Sequence, residues 1–101
     1  MRILYIDDIR YPERWHQEGM DNVITVVRTY KEAIELLNNG YDVIDLDNDL
    51  GEEKEGYDIA KYMVENNIEV PYIYIHTMNP VARKNMIQLF ERYFNSEIIV
   101  Y

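Results

Sequence analysis

Three short stretches concentrate the residue types that can do chemistry: "IDD" at 6–8, "DLDND" at 45–49 and "HTMN" at 76–79. The first two supply carboxylates (Asp7, Asp8, Asp45, Asp47 and Asp49), and the third supplies His76, Thr77 and Asn79. Carboxylates gathered in one place repel one another, and the group is tolerable only with a cation, with raised pKa values or with some members turned away. A hard cation such as Mg²⁺ is the usual resolution, held by one or two carboxylates together with waters and phosphate oxygens. Asp7, Asp8, Asp47 and Asp49 are thus the candidate ligands of a divalent cation, with caps of loops and strand ends as the simpler use of the same acids. Thr77 and Asn79 offer hydrogen bonds to a phosphate, and Arg83 or Lys84 adds charge. If a helix begins at Asn79-Pro80, the backbone N–H groups of Val81, Ala82 and Arg83 are expected to be unpaired and ready for an anion. His76 is a candidate general acid or base because its pKa ordinarily lies near neutral; a histidine packed in the core or at the rim is the alternative. Arg10, three residues past Asp7, either reaches over the same crevice or is solvated. His16 follows Trp15 in an irregular stretch and reads as structural.

The elements that would position these residues are legible in the hydrophobic pattern. "RILYI" (2–6), "NVITVV" (22–27), "YDVIDL" (41–46), "YIYI" (72–75) and "EIIVY" (97–101) are β-branched and aromatic runs, read as five strands. Helical patterns lie between the later ones. "TYKEAIELLNNG" opens with Thr29 and Glu32 at capping-box spacing and stops at Gly40. "GYDIAKYMVENN" repeats that logic, and "NPVARKNMIQLFERYF" has Asn79 as N-cap with Pro80 at the first helical position. Strand–helix–strand units this short make parallel sheets with right-handed crossovers. The stretch after the first strand, "DIRYPERWHQEGMD", has no sustained apolar period and forms at most a short helix. In such an open sheet, residues just past the carboxyl ends of adjacent strands converge on one crevice, which is where the three stretches fall.

Strand parity divides the sheet faces. Ile73 and Ile75 share a side with Ile44 and Leu46, while Tyr72, Tyr74 and His76 share the other with Val43, Asp45 and Asp47. A shortened first helix would leave the tyrosine face thinly covered, open to a ligand or to a second copy of the chain, or merely half-exposed.

Composition sets bounds. A chain of 101 residues, 48% hydrophobic, is expected to be one domain with a packed core. It has no cysteine, hence neither disulfides nor thiolate metal ligands, and the short apolar run at its start does not read as a signal peptide. No run is long enough for a membrane helix, so a cytoplasmic location is the default expectation. A formal charge of −9 argues against an extended nucleic-acid surface but leaves room for a small basic pocket. "DLDNDLGEEKEG" begins like an EF-hand loop, yet Leu50 stands where the turn glycine belongs and Gly56 where the bidentate glutamate belongs, so that motif is excluded.

The order of elements resembles the response-regulator receiver fold, flavodoxin-like with five parallel strands. There an acidic pair after strand one and an Asp after strand three bind Mg²⁺ and accept phosphate, and a Ser/Thr ends strand four; Asp7, Asp8, Asp47 and Thr77 match. The lysine expected after strand five and the final helix are absent, because the sequence stops at Tyr101. A closer resemblance is to the cyclic-phosphate processing receiver domains. The matching motifs are "IDDIRYP" (6–12), "LDNDLGEEKEGYD" (46–58) and "HTMNPVARKNM" (76–86). The resemblance implies a site of Asp7, Asp8, Arg10, Asp47, Asp49, His76, Asn79 and Asn85. Asn48 stands here for a histidine, Thr77 for serine and Ala82 for glycine. The leading expectation is phosphoesterase-like processing of a cyclic phosphate, either a 2′,3′-cyclic RNA end or a cyclic nucleotide. Asp7, Asp47 and His76 would be catalytic, a divalent cation the cofactor, and Arg10, Thr77, Asn79, Arg83 and Asn85 the phosphate contacts. Two alternatives remain: a non-catalytic module that sequesters a cyclic nucleotide, and a receiver-fold domain that binds a protein partner.

Overall fold

The computed structural model describes residues 1–12 and 21–101. The expected short helix after the first strand, together with His16, falls largely on residues 13–20, outside the described residues. Five strands form one sheet: β1 (Arg2–Ile6), β2 (Val23–Val27), β3 (Val43–Leu46), β4 (Tyr72–Ile75) and β5 (Glu97–Val100). Their spatial order is β2-β1-β3-β4-β5 and every pairing is parallel. Three helices connect them: α1 (Tyr30–Leu36), α2 (Gly56–Glu65) and α3 (Pro80–Tyr93). No helix among the described residues is long and apolar enough to cross a membrane.

All three helices pack on the face that carries Leu4, Ile6, Ile44, Leu46, Ile73 and Ile75. Ala33 and Leu37 come from α1 and its 3₁₀ extension, Ile59, Ala60 and Met63 from α2, and Met86 and Phe90 from α3. Burying a side chain such as Ile59 or Met63 contributes about 1.5–3 kcal/mol over leaving it exposed. The opposite face is more closed than its composition suggested. Ile3, Tyr5 and Val43 are buried at its centre, while Tyr72 and Tyr74 on β4 are half-buried, as are Ile24, Val26 and Ile99 on the outer strands.

Helix starts follow local chemistry. Thr29 caps α1, its hydroxyl accepting the Glu32 N–H at 3.2 Å while donating to the Glu32 carboxylate at 3.1 Å. The full reciprocal capping box sits on α2 instead, where Glu55 and Asp58 each satisfy the other's backbone N–H. The Glu55 N–H holds the Asp58 carboxyl below its ordinary value, with Lys61 helping against a small desolvation cost. Past α1, Gly40 takes φ +79, and the Arg2 guanidinium donates to the carbonyls of Asn39 and Gly40.

The sheet order reverses between β1 and β3, because β2 lies on one side of β1 and β3 on the other. At such a switch point the loops leaving neighbouring strands part and leave a crevice beyond their carboxyl ends.

Candidate phosphate and metal crevice

Three strands, β1, β3 and β4, each deliver one piece of the crevice wall. The loop after β1 contributes Asp7, Asp8, Ile9 and Arg10; the loop after β3 contributes Asp47, Asn48 and Asp49, with Glu55 further on. The loop after β4 contributes Thr77, Met78 and Asn79, and together they enclose about 550 Å³. Eight of the ten residues named from sequence for catalysis, phosphate or metal meet in or beside this cavity; Arg83 and Asn85 do not. Arg83 faces a groove with Pro80 and Ile87, and Asn85 faces another beside Tyr57 and Arg92. Both lie further along α3, turned away from the crevice mouth.

Asp7 is 1% exposed and tightly held. Its Oδ1 accepts the backbone N–H groups of Ile9 and Arg10, both at 2.9 Å, and its Oδ2 meets His76 Nε2 at 2.9 Å. Burial alone would push this carboxyl up, but the two amides and His76 outweigh it and hold Asp7 below its ordinary value. Asp47 is in the opposite condition. Its Oδ1 accepts the N–H of Asn48 at 2.8 Å, and no other hydrogen bond reaches its carboxylate among the described residues. Burial, followed by the charge of Asp7, raises its pKa, and the Asn48 amide, His76 and Arg10 only partly counter this. Asp8 leans toward the loop after β3, so that a Cβ on Gly51 would lie 3.0 Å from its Oδ2. Asp49 is exposed and uses its Oδ1 on the N–H of Gly51 at 3.0 Å, which leaves it at the outer edge of the acidic group.

Of the core and rim positions open to His76 from sequence, the structure takes the core one. His76 is 3% exposed and lies behind Asp7, its ring stacked on Tyr5 at a centroid distance of 4.9 Å and facing Tyr101 on the other side at 5.5 Å. Nδ1 meets Asp45 Oδ1 at 2.5 Å and Nε2 meets Asp7 Oδ2. Ionised carboxylates accept only, so with Asp7 and Asp45 ionised both ring nitrogens carry protons to serve both bonds. Burial pushes the ring's pKa down, yet Asp45, Asp7 and Asp47 outweigh it and raise it above 6.5. His76 is therefore an imidazolium wedged between carboxylates, a positioning group for Asp7. One ligand atom from each of Asp7, Asp47 and His76 lies within 4.8 Å of the others. With both nitrogens of His76 engaged, Asp7, Asp8 and Asp47 are the residues suited to hold a hard cation, as an all-oxygen set requires.

The helix start also departs from expectation. Asn79 Oδ1 accepts the N–H groups of Val81 and Ala82, both at 3.1 Å, and the Arg83 N–H reaches the Asn79 carbonyl at 3.0 Å. The three amides expected to await an anion are already capped by the residue that starts the helix. Asn79 thus spends its side chain on α3, and Thr77 accepts the Asn79 N–H at 3.1 Å. Asn79→Ala is expected to cost about 1 kcal/mol of stability as a lost N-cap. Thermal unfolding checks this, and Asn79→Asp should keep most of the stability.

Three contributors escaped the sequence reading. Asp45, grouped there with the crevice acids, is fully buried beneath them, bonded to His76 and to the Tyr101 hydroxyl at 2.6 Å. The available signal was its parity, which put a charge on a strand face between buried neighbours, where acids almost never stand unpaired. Arg28, just past β2, donates from one guanidinium nitrogen to the carbonyls of Asp7 (3.0 Å) and Arg10, and lies 4.7 Å from the ring centroid of Tyr11. Asn48, noted only as a replacement, is 3% exposed and braces two elements: its Oδ1 accepts the Tyr57 N–H at 3.1 Å and its Nδ2 donates to Glu55 at 3.3 Å.

A five-stranded parallel sheet with carboxylates at the ends of β1 and β3 and a threonine after β4 defines a receiver-like α/β domain. The chain belongs to the cyclic-phosphate processing receiver domain family, whose model matches residues 2–92. It is also similar to the response regulator SaeR of Staphylococcus aureus, 40% identical over 52 residues, which span 52% of this chain and 22% of that regulator. Among solved structures, the Francisella response regulator 1452 receiver domain superposes with a TM-score of 0.66 at 23% identity, over 98% of this chain and 82% of that one. A fusion carrying a yeast Spc42 trimeric coiled coil gives 0.62 at 17% identity, over 98% and 67% of the two chains. Both likenesses are of fold.

Proposed function

We propose that the crevice binds a divalent cation and a phosphate-bearing ligand and processes a cyclic phosphate. The observation that carries this reading is the unequal pair Asp7 and Asp47: one carboxylate pinned and ionised, the other under-bonded and raised by its neighbour's charge. A bound cation removes that mismatch, and the family's description supplies the cyclic phosphate. When bound, the cation polarises a phosphate oxygen or a water. His76 and the amides of Ile9 and Arg10 hold Asp7 in place, Arg10 offers a positive charge across from Asp47, and Thr77 lines the wall between the acids and Asn79.

Two experiments test it. Calorimetry should show Mg²⁺ or Mn²⁺ binding that tightens as pH rises, because the cation competes with a proton on a carboxyl whose pKa is raised; Asp47→Asn should abolish the binding. Pure protein with the ion should then open a 2′,3′-cyclic phosphate, and failure to turn over any cyclic phosphate would sink the catalytic claim. A second reading, a module that binds such a ligand without changing it, is favoured by His76, whose two ring nitrogens are both taken up by Asp45 and Asp7. Tight binding with the ligand recovered intact selects it.

A further inference from the structure

The crevice is acidic at its base and carries two exposed apolar side chains toward its mouth. Ile9 and Met78 are 76% and 81% exposed, among the most exposed large apolar side chains of the described residues, and both line the same cavity as Asp7 and Asp47. They stand on different loops, after β1 and after β4, with the loop after β3 between them. Singly exposed apolar residues need no explanation, but two that flank one polar cavity do. The cavity is also large. At roughly 30 Å³ per heavy atom, a phosphate with a hydrated cation fills about half of it. The 550 Å³ measured falls among the pockets that enclose whole organic ligands, about 300–1,000 Å³.

We infer that Ile9 and Met78 form the two jaws of a nucleobase subsite, so that the ligand is a nucleotide gripped at both ends; this rests on the phosphate reading above. A base is flat, apolar on its faces and joined to the phosphate through a sugar, which spans the step from the acidic base to the mouth. Methionine suits one jaw because its unbranched, polarisable thioether adapts to aromatic faces. Neither jaw carries a polar group to read a base edge, so the jaws themselves accept purines and pyrimidines alike. Ile9 is held in position by its neighbours, since Asp7 caps its N–H and Arg28 ties the carbonyls of Asp7 and Arg10 on either side.

The test compares two ligands in the presence of Mg²⁺: adenosine 2′,3′-cyclic phosphate and the 1-O-methylriboside 2′,3′-cyclic phosphate, which lacks the base. Wild type should bind the nucleotide about tenfold more tightly, the scale of one stacked base. In the double variant Ile9→Ser, Met78→Ser the two affinities should become equal while the base-free ligand binds as before. Both positions are surface-exposed, so the fold should be retained, which circular dichroism checks. Equal affinities in wild type, or a base increment that survives the double variant, overturns the jaws and leaves the phosphate site standing. If neither ligand binds, the phosphate reading and this one fall together.

Discussion

Gly56→Ala is expected to unfold at markedly lower urea concentration, with a loss of about 3 kcal/mol or more, the range in which a backbone collision replaces ordinary overpacking. A Cβ at this position would lie 1.9 Å from the Asp47 carbonyl oxygen and 2.8 Å from the Asn48 Cα, and neither atom belongs to a side chain that can rotate away. The approach is close because the Gly56 N–H donates to the Asn48 carbonyl at 2.8 Å, while the Asn48 side chain caps the next residue, Tyr57. The first turn of α2 is thus buttoned directly to the loop that carries Asp47. Relief requires either the helix or that loop to shift, and cation affinity should fall along with stability. Gly51→Ala is the informative contrast: its strain comes from φ +67 and from a flexible carboxylate 3.0 Å away, so it should cost less and leave α2 in place.

The second large effect concerns His76. Replacing it by leucine leaves Asp45, fully buried, without its closest cationic partner, and orphaning one member of a buried ion pair costs about 3–5 kcal/mol. Adding Asp45→Asn to His76→Leu removes the stranded charge and should return part of the loss, an outcome that mere loss of packing volume would not give. The pH dependence follows from the directions of the shifts. The ring's pKa is raised above 6.5 in the folded state, so its stabilisation is complete below 6.5 and is lost as pH rises through the higher folded value. Asp7, lowered by its amides and His76 against burial, stabilises fully above its ordinary 3.8 and loses that contribution as pH falls through its folded value. Metal-free protein should therefore be most stable between these limits, and the alkaline decline should be missing from His76→Leu. Nitrogen NMR of the wild-type ring should show both nitrogens protonated at neutral pH.

Parallel strands joined by amphipathic helices leave a strong imprint on sequence, and the five strands and three helices could be read from alternation and apolar spacing, with Thr29 and Asn79-Pro80 marking two starts and Gly40 a stop. Parity also placed His76 and Asp45 correctly on the face opposite Ile73 and Ile44. What it could not convey was depth. Strand parity says which face a residue occupies but not how far below the crevice mouth its side chain ends, so core and rim stayed open for His76 and Asp45 looked like a crevice acid. The helix start shows a different limit: Asn79 was recognised as a cap, yet a cap and an anion compete for the same N–H groups, and the cap holds two of the three in the structure. Arg28 was invisible because its targets are backbone carbonyls, which leave no trace in side-chain spacing.

That arginine gives the domain a mechanical property. Among the described residues β2 is an edge strand, bonded to β1 on one side, and Arg28 leaves its end to grip the carbonyls of Asp7 and Arg10. The crevice carboxylate is thereby moored from both flanks, by its main chain toward the outer strand and by its side chain toward β4 through His76. A small slide of the edge strand along its axis would pull one mooring and not the other, tilting Asp7 relative to Asp47. Whatever docks against that outer strand holds a handle on the separation of the two carboxylates, at a distance and without entering the cavity.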